Sequence, residues 1–95
     1  MSQGATADKL RVHVVDRVAT LWQGHANHVS VPAVDGRLGI LAGRQPILAA
    51  LESGVVEINP SNAPAVKVQI DEGFVSVDSN FINIVVEGGS LVEGE

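Results

Sequence analysis

No cysteine occurs in the 95 residues, which removes disulfides, thiolate metal sites and thiol nucleophiles from consideration. Aromatic side chains are nearly as scarce: Trp22, Phe74 and Phe81 make up 3% of the chain. A surface that stacks nucleobases needs several such rings in a basic groove. Positive charge is also short, with six Lys and Arg against eleven Asp and Glu and a formal net charge of −5. Lys9, Arg11, Arg17, Arg37, Arg44 and Lys67 are scattered along the chain, so no basic face is available for nucleic acid or anionic lipid. No window approaches the roughly 18 apolar residues of a membrane-spanning helix, and the start lacks a basic segment followed by an apolar one. These absences indicate a soluble protein with a disordered tail at 1–8.

What is present is aliphatic. Hydrophobic residues make up 45% of the chain, and with so few rings the core must be built from Val, Ile, Leu and Ala, whose β-branched members favour strands. The length suits one domain. Leu10, Val12 and Val14 alternate with Arg11 and His13, the period of a half-buried strand that ends at Asp16-Arg17. Further strands are expected at Val18 to His25 and at His28 to Val34, where Pro32 demands an edge or a bulge. Asp35-Gly36 is expected to close a two-residue type I′ hairpin into Arg37 to Ile40. Ala42 to Pro46 reads as a loop. Ile47 to Leu51 is either one helical turn or a buried strand, with strand preferred at five residues. Val55 to Asn59, a loop at Pro60-Ser61-Asn62-Ala63-Pro64, and the alternating Val66 to Ile70 follow. After a turn at Asp71-Glu72-Gly73, Phe74 to Val77 and Phe81 to Val86 form a hairpin around Asp78-Ser79-Asn80. From Gly89 to residue 95 the pattern predicts an unfolded acidic tail ending in Glu93 and Glu95. Eight to ten short strands with turns between them and no helix-period segment predict an all-β chain, a sandwich or a barrel, over 9–88.

Catalytic chemistry is hard to find. His25 and His28 are close in sequence, but residues three apart on a strand face opposite sides, so they converge on a metal only across a bend near Ala26-Asn27. The serines lack a nucleophile elbow. Asp71-Glu72 is a carboxylate pair in a turn, more simply read as solvated. Gly36, Gly39 and Gly43 lack the Gly-Lys-Ser/Thr ending and helix of a phosphate loop, and turn geometry accounts for them. A lipoyl or biotinyl carrier would need a lysine at a hairpin tip; the Asp35-Gly36 tip has Arg37, and Lys67 lies within a strand. No catalytic residue, cofactor or metal is assigned.

Gly36-Arg37-Leu38-Gly39-Ile40, followed by Gly43, Pro46-Ile47-Leu48, Leu51 and Gly54, resembles the epsilon subunit of F-type ATP synthases. The family pattern is Gly-x-Leu-Gly-Ile, two residues, Gly-His-x-Pro-Leu-Leu, then Leu-x-x-Gly. Arg44 stands in place of the histidine. Val14-Val15, Trp22-Gln23-Gly24 and Gly73-Phe74-Val75-Ser76-Val77 extend the resemblance over about residues 9 to 88, with Glu72 replacing the first glycine of a family Gly-Gly pair.

The resemblance implies an all-β fold, a flattened two-sheet β-sandwich of about 8–10 short antiparallel strands, and a non-catalytic rotor subunit of a proton-translocating synthase. It would sit in the central stalk, link subunit gamma to the ring of c subunits, and lie peripherally at the cytoplasmic face of a bacterial membrane, or the equivalent face for an organelle-encoded protein, without inserting into lipid. By the same resemblance Asp35, Gly36 and Arg37 face the c-ring, and Asp16, Arg44 and Ala49 face gamma. Family members commonly continue into a helical hairpin that inhibits ATP hydrolysis and in some binds ATP; over these 95 residues the expectation is a coupling part without that hairpin. A free-standing β-sandwich binding or carrier module is the alternative.

Overall fold

The computed structural model describes residues 9–60 and 63–92. The tail expected at 1–8, Ser61 and Asn62 of the expected loop, and residues 93–95 of the expected acidic tail lie outside the described residues. The described chain forms β1 (Leu10–Val15), β2 (Thr20–Ala33), β3 (Gly36–Leu41), β4 (Ile47–Leu51), β5 (Gly54–Pro60), β6 (Val66–Ile70), β7 (Gly73–Asp78), β8 (Phe81–Val86) and β9 (Gly89–Val92). One layer runs β4-β7-β8-β1 and continues into the first half of β2; the other runs β3, the second half of β2, β5, β6 and β9. The all-β architecture is the one the sequence pattern predicts, and the two-sheet sandwich is the form the family resemblance implies. Alternating residues from both layers, among them Leu10, Val29, Ile58, Ile70, Ile82 and Ile84, meet in one aliphatic core from which water is excluded. Among the described residues no polar or charged side chain is buried.

Four features differ from the sequence expectation. The two strands expected either side of Ala26-Asn27 are one 14-residue strand, β2, which passes from one layer to the other. Asn27 is taken up as a bulge: Ala26 pairs with Pro60 and His28 with Asn59, so Ala26 and Val29 both face inward although three positions apart. Gly24 makes room for the indole, since a Cβ there would lie 2.9 Å from the Trp22 ring. Second, the chain does not loosen after Gly88, because Gly89–Val92 pairs antiparallel with Lys67–Ile70. The missing side chain at Gly89 permits this, a Cβ there falling 2.7 Å from the Gln69 carbonyl oxygen. Third, β1 and β8 are parallel, Arg11 opposite Phe81 and Val15 opposite Val85, in a sandwich otherwise paired antiparallel among its described strands.

The fourth concerns turns. At the β2–β3 hairpin Ala33 pairs with Gly36, so the turn residues are Val34 and Asp35. Positive φ falls on Gly36 alone, at 122°, and this is not the type I′ turn expected at Asp35-Gly36. The pair with two positive φ values is Ser79 (53°) and Asn80 (65°), between paired Asp78 and Phe81, where the type I′ signature is carried without glycine. Ile47–Leu51 is a strand as expected, paired with β7 along its whole length.

Candidate functional site

Asp35 and Gly36 sit exposed at the β2–β3 turn, held where the Val34 N–H donates to the Ala50 carbonyl at 3.0 Å. Arg37 does not project from the hairpin. Its Nε donates to Ser30 Oγ at 2.8 Å, and its terminal nitrogen donates to the Ser30 carbonyl at 3.3 Å and to the Val55 carbonyl. The guanidinium therefore lies across β2 and ties β3 to β5.

Asp16 closes the β1–β2 connection. Its Oδ1 accepts from the Val18 N–H at 2.8 Å and the Ala19 N–H at 2.9 Å, while its own N–H donates to the Ala19 carbonyl at 3.0 Å. The Val18 and then the Ala19 amide hold its carboxyl below the usual carboxylate range. A depressed value means that this stabilisation is complete above the unfolded-state pKa and is lost as pH falls through the folded one. The urea midpoint is thus expected to drop with acid below about pH 4 more steeply in the native chain than in Asp16→Asn. The two curves should converge at the acid end; parallel curves would show that the carboxylate does not stabilise the turn.

Arg44 is exposed in the loop between Leu41 and Ile47. This loop is pinned from a distance, because the Gly43 N–H donates to Asn80 Oδ1 at 2.7 Å. Ala49 is half-buried and packs on the core; its neighbour Leu48, 73% exposed, faces outward. The three expected gamma-side residues are not gathered into one patch. Ile47, just after the Arg44 loop, lies in register with Val77, Ile82 and Val12, whereas Asp16 follows Val15 at the other end of the same layer. The four-residue step from Val12 to Asp16 is about 13 Å of strand.

Asp16 and Asp35 instead belong to one rim of turns. Arg17 meets Glu87 at 3.3 Å, an exposed pair of small energetic consequence. The Glu87 N–H donates to the Glu72 carbonyl and the Asp71 N–H to the Gly88 carbonyl, each at 2.9 Å. Gly73 then pairs with Leu51, whose neighbour Ala50 holds Val34. Sequence order gave no signal of this rim, because its members lie far apart along the chain. A second surface missed from sequence is the outer face of β4, β7 and β8, where Ala50, Phe74 and Val85 stand in register beside exposed Leu48.

The bend between His25 and His28 exists, yet the rings have different neighbours: His25 pairs with Arg11, and His28 Nδ1 lies 3.3 Å from Asn59 Nδ2. Among the described residues no group of three or more His, Asp or Glu is placed to hold a metal ion. Lys67 lies mid-strand, opposite Glu57 and Val92, away from any hairpin tip. No helix of the described residues is long and apolar enough to cross a membrane.

The described chain is an all-β sandwich with turns at one rim and an apolar outer sheet face. Residues 9–90 match the family model of the ATP synthase delta/epsilon chain β-sandwich domain. The ATP synthase epsilon chain of Nostoc sp. is 35% identical over 81 residues, covering 84% of this chain and 59% of its own length. That of Micrococcus luteus is 35% identical over 83 residues, covering 87% of this chain and 91% of its own. In a Euglena gracilis mitochondrial ATP synthase, solved with OSCP, F1 and the c-ring, one chain superposes with a TM-score of 0.82 at 16% identity, over 88% of this chain and 54% of that one. The chain belongs to the ATP synthase epsilon family. It spans about three-fifths of the length of the Nostoc, Trichormus and Acaryochloris relatives.

Proposed function

We propose that the protein is a non-catalytic central-stalk subunit that links gamma to the c-ring and couples proton flow to ATP synthesis, peripherally at the cytoplasmic face of the membrane. The observation that carries this is the match of residues 9–90 to the epsilon-type sandwich, together with relatives named as epsilon chains and like folds in c-ring-containing assemblies. The physics agrees: a rotor part must transmit torque without deforming, and a close-packed aliphatic core between two hydrogen-bonded layers is stiff.

In this reading the β2–β3 hairpin, with Asp35, Gly36 and Arg37, faces the ring. Gamma docks along β4, where Arg44 stands at one end and Asp16 closes the other end of the layer. Ala49 backs that contact from the inner face, and outward Leu48, Ala50 and Phe74 form its apolar part, as exposed apolar patches of this kind do. The test is to tag the chain in its native cells, extract membranes in mild detergent and identify what elutes with it. Co-elution with gamma, the c-ring and the catalytic head is the expected result. A lone monomer carrying a small molecule would instead point to a binding module.

A further inference from the structure

β2 and β5 pair in antiparallel register from His28–Asn59 to Ser30–Glu57, and the next hydrogen-bonded pair in that register would be Pro32 with Val55. Proline has no N–H to give. The ladder stops there: β2 turns toward β4, pairing Ala33 with Leu51, and the Pro32 carbonyl accepts from the Glu52 N–H at 2.9 Å. Val55 has the same strand parity as Glu57, so its carbonyl points at the nitrogen that cannot donate. Arg37 supplies the donor, its guanidinium reaching over β2 to that carbonyl while Nε is fixed by Ser30 Oγ at 2.8 Å. The space beneath is closed as well, since a Cβ on Gly54 would lie 3.0 Å from the Pro32 Cβ. Arg37 is also the first residue after Gly36 and pairs with Pro32, so whatever holds it sets the direction in which Val34, Asp35 and Gly36 leave the sandwich.

We infer that Arg37 is a positioning residue, a side-chain substitute for the backbone donor missing at Pro32, which aims the Val34–Gly36 hairpin rather than touching the partner itself. This rests on the reading that the hairpin faces the ring, and it changes what Arg37 does there: Asp35 and the turn backbone make the contact, and Arg37 keeps them in place. A guanidinium suits the task because it has several fixed donors for Ser30 Oγ, the Ser30 carbonyl and the Val55 carbonyl together.

The inference predicts that a new N–H at position 32 replaces the arginine. Pro32→Ala restores that N–H and keeps the Cβ that packs on Gly54. In the full chain, Arg37→Ala should speed amide exchange across Val34–Leu38 by about 10-fold, the loss of a charge-assisted hydrogen bond, with much smaller changes in β6. Adding Pro32→Ala should bring exchange back to within about 3-fold of the native rate. Equal exchange in the double variant and Arg37→Ala would overturn the substitution. Should Pro32→Ala fail to fold, Arg37→Lys is the second test: rates ordered Arg, Lys, Ala support the inference, and equal rates for all three overturn it. In the assembled complex, proton pumping driven by ATP hydrolysis separates positioning from contact. Recovery of coupling in the double variant supports positioning, whereas uncoupling that persists after exchange is restored makes Arg37 a direct contact and overturns it. A chain that never enters an ATP synthase would undo the proposed function and leave the exchange result standing.

Discussion

Ile84→Ala is expected to lower the unfolding free energy by about 3–4 kcal/mol, within the range for deleting a buried Ile side chain. Ile84 is fully buried on β8, opposite Val14 of β1 on one side and Val75 of β7 on the other. The vacated volume is walled by β-branched side chains with few rotamers, on strands whose hydrogen bonds fix their spacing. Among the described residues the core holds no methionine, whose flexible thioether would otherwise fill such a gap. A chain of this size has a total stability of about 5–14 kcal/mol, so a single truncation removes a large share of it. Val85→Ala, next along the same strand but on the outer face, should cost less than about 1 kcal/mol. Urea unfolding of the three proteins measures both, and a loss below about 1 kcal/mol for Ile84→Ala would mean that the layers close on the cavity.

The contrast between those neighbours is also why the fold could be read from the sequence. Alternation at Leu10–Val15, Val66–Ile70 and Phe81–Val86 reports which side of a sheet is dry, and the core is what the pattern announces. Continuity of β2 could not be read, because a bulge at Asn27 resets the alternation and mimics a break between two strands. The strand at Gly89–Val92 was hidden for a related reason. Paired glycines usually signal loose chain, but here the absent side chain at Gly89 is what lets β9 approach β6. Parallel pairing of β1 with β8 leaves no local trace at all, since it joins segments some seventy positions apart.

Less of the candidate site was legible. The motif from Gly36 to Gly54 placed Arg37 after a hairpin turn and Arg44 in a loop, with no sign of how differently the two guanidinium groups are surrounded. Their environments differ through residues remote in sequence: Ser30 and Val55 take up one guanidinium, while the loop carrying the other is fastened through Gly43 to Asn80. Asp16 could be placed at a turn, but its role as acceptor for two amides depends on the conformation of Val18 and Ala19. Pro32 was the one local clue to the Arg37 arrangement. A proline inside a strand leaves a partner carbonyl without its donor, and asking where that carbonyl turns would have pointed to a nearby cation.

Gly73→Ala is expected to cost about 2–3 kcal/mol, more than a methyl group normally does, as overpacking against groups that cannot rotate away. Read from sequence, Gly73 ends a turn; in the fold it opens β7, between Leu51 of β4 and Val86 of β8. It is not among the positive-φ glycines, so the constraint is space and not backbone conformation. An added Cβ would stand 2.1 Å from the Val85 carbonyl oxygen and 2.7 Å from the Val86 Cα. Both are main-chain atoms of the neighbouring strand, so accommodating the methyl group requires β7 and β8 to separate. The lower entropy of alanine in the unfolded chain would by itself favour the variant by about 0.4–1 kcal/mol, too little to offset the clash. Gly39→Ala is the matched control, because its nearest neighbour would be the end of the His28 ring at 3.3 Å, which can swing aside. Equal urea midpoints for native and Gly73→Ala chains would show that the two strands have slack. A shift confined to Gly73→Ala, with amide changes centred on Phe74 and Val85, would place the rigidity of the outer face in this contact. Phe74 belongs to the proposed gamma surface and Val85 lies beside it in register, so the same substitution should weaken gamma binding even where the chain still folds.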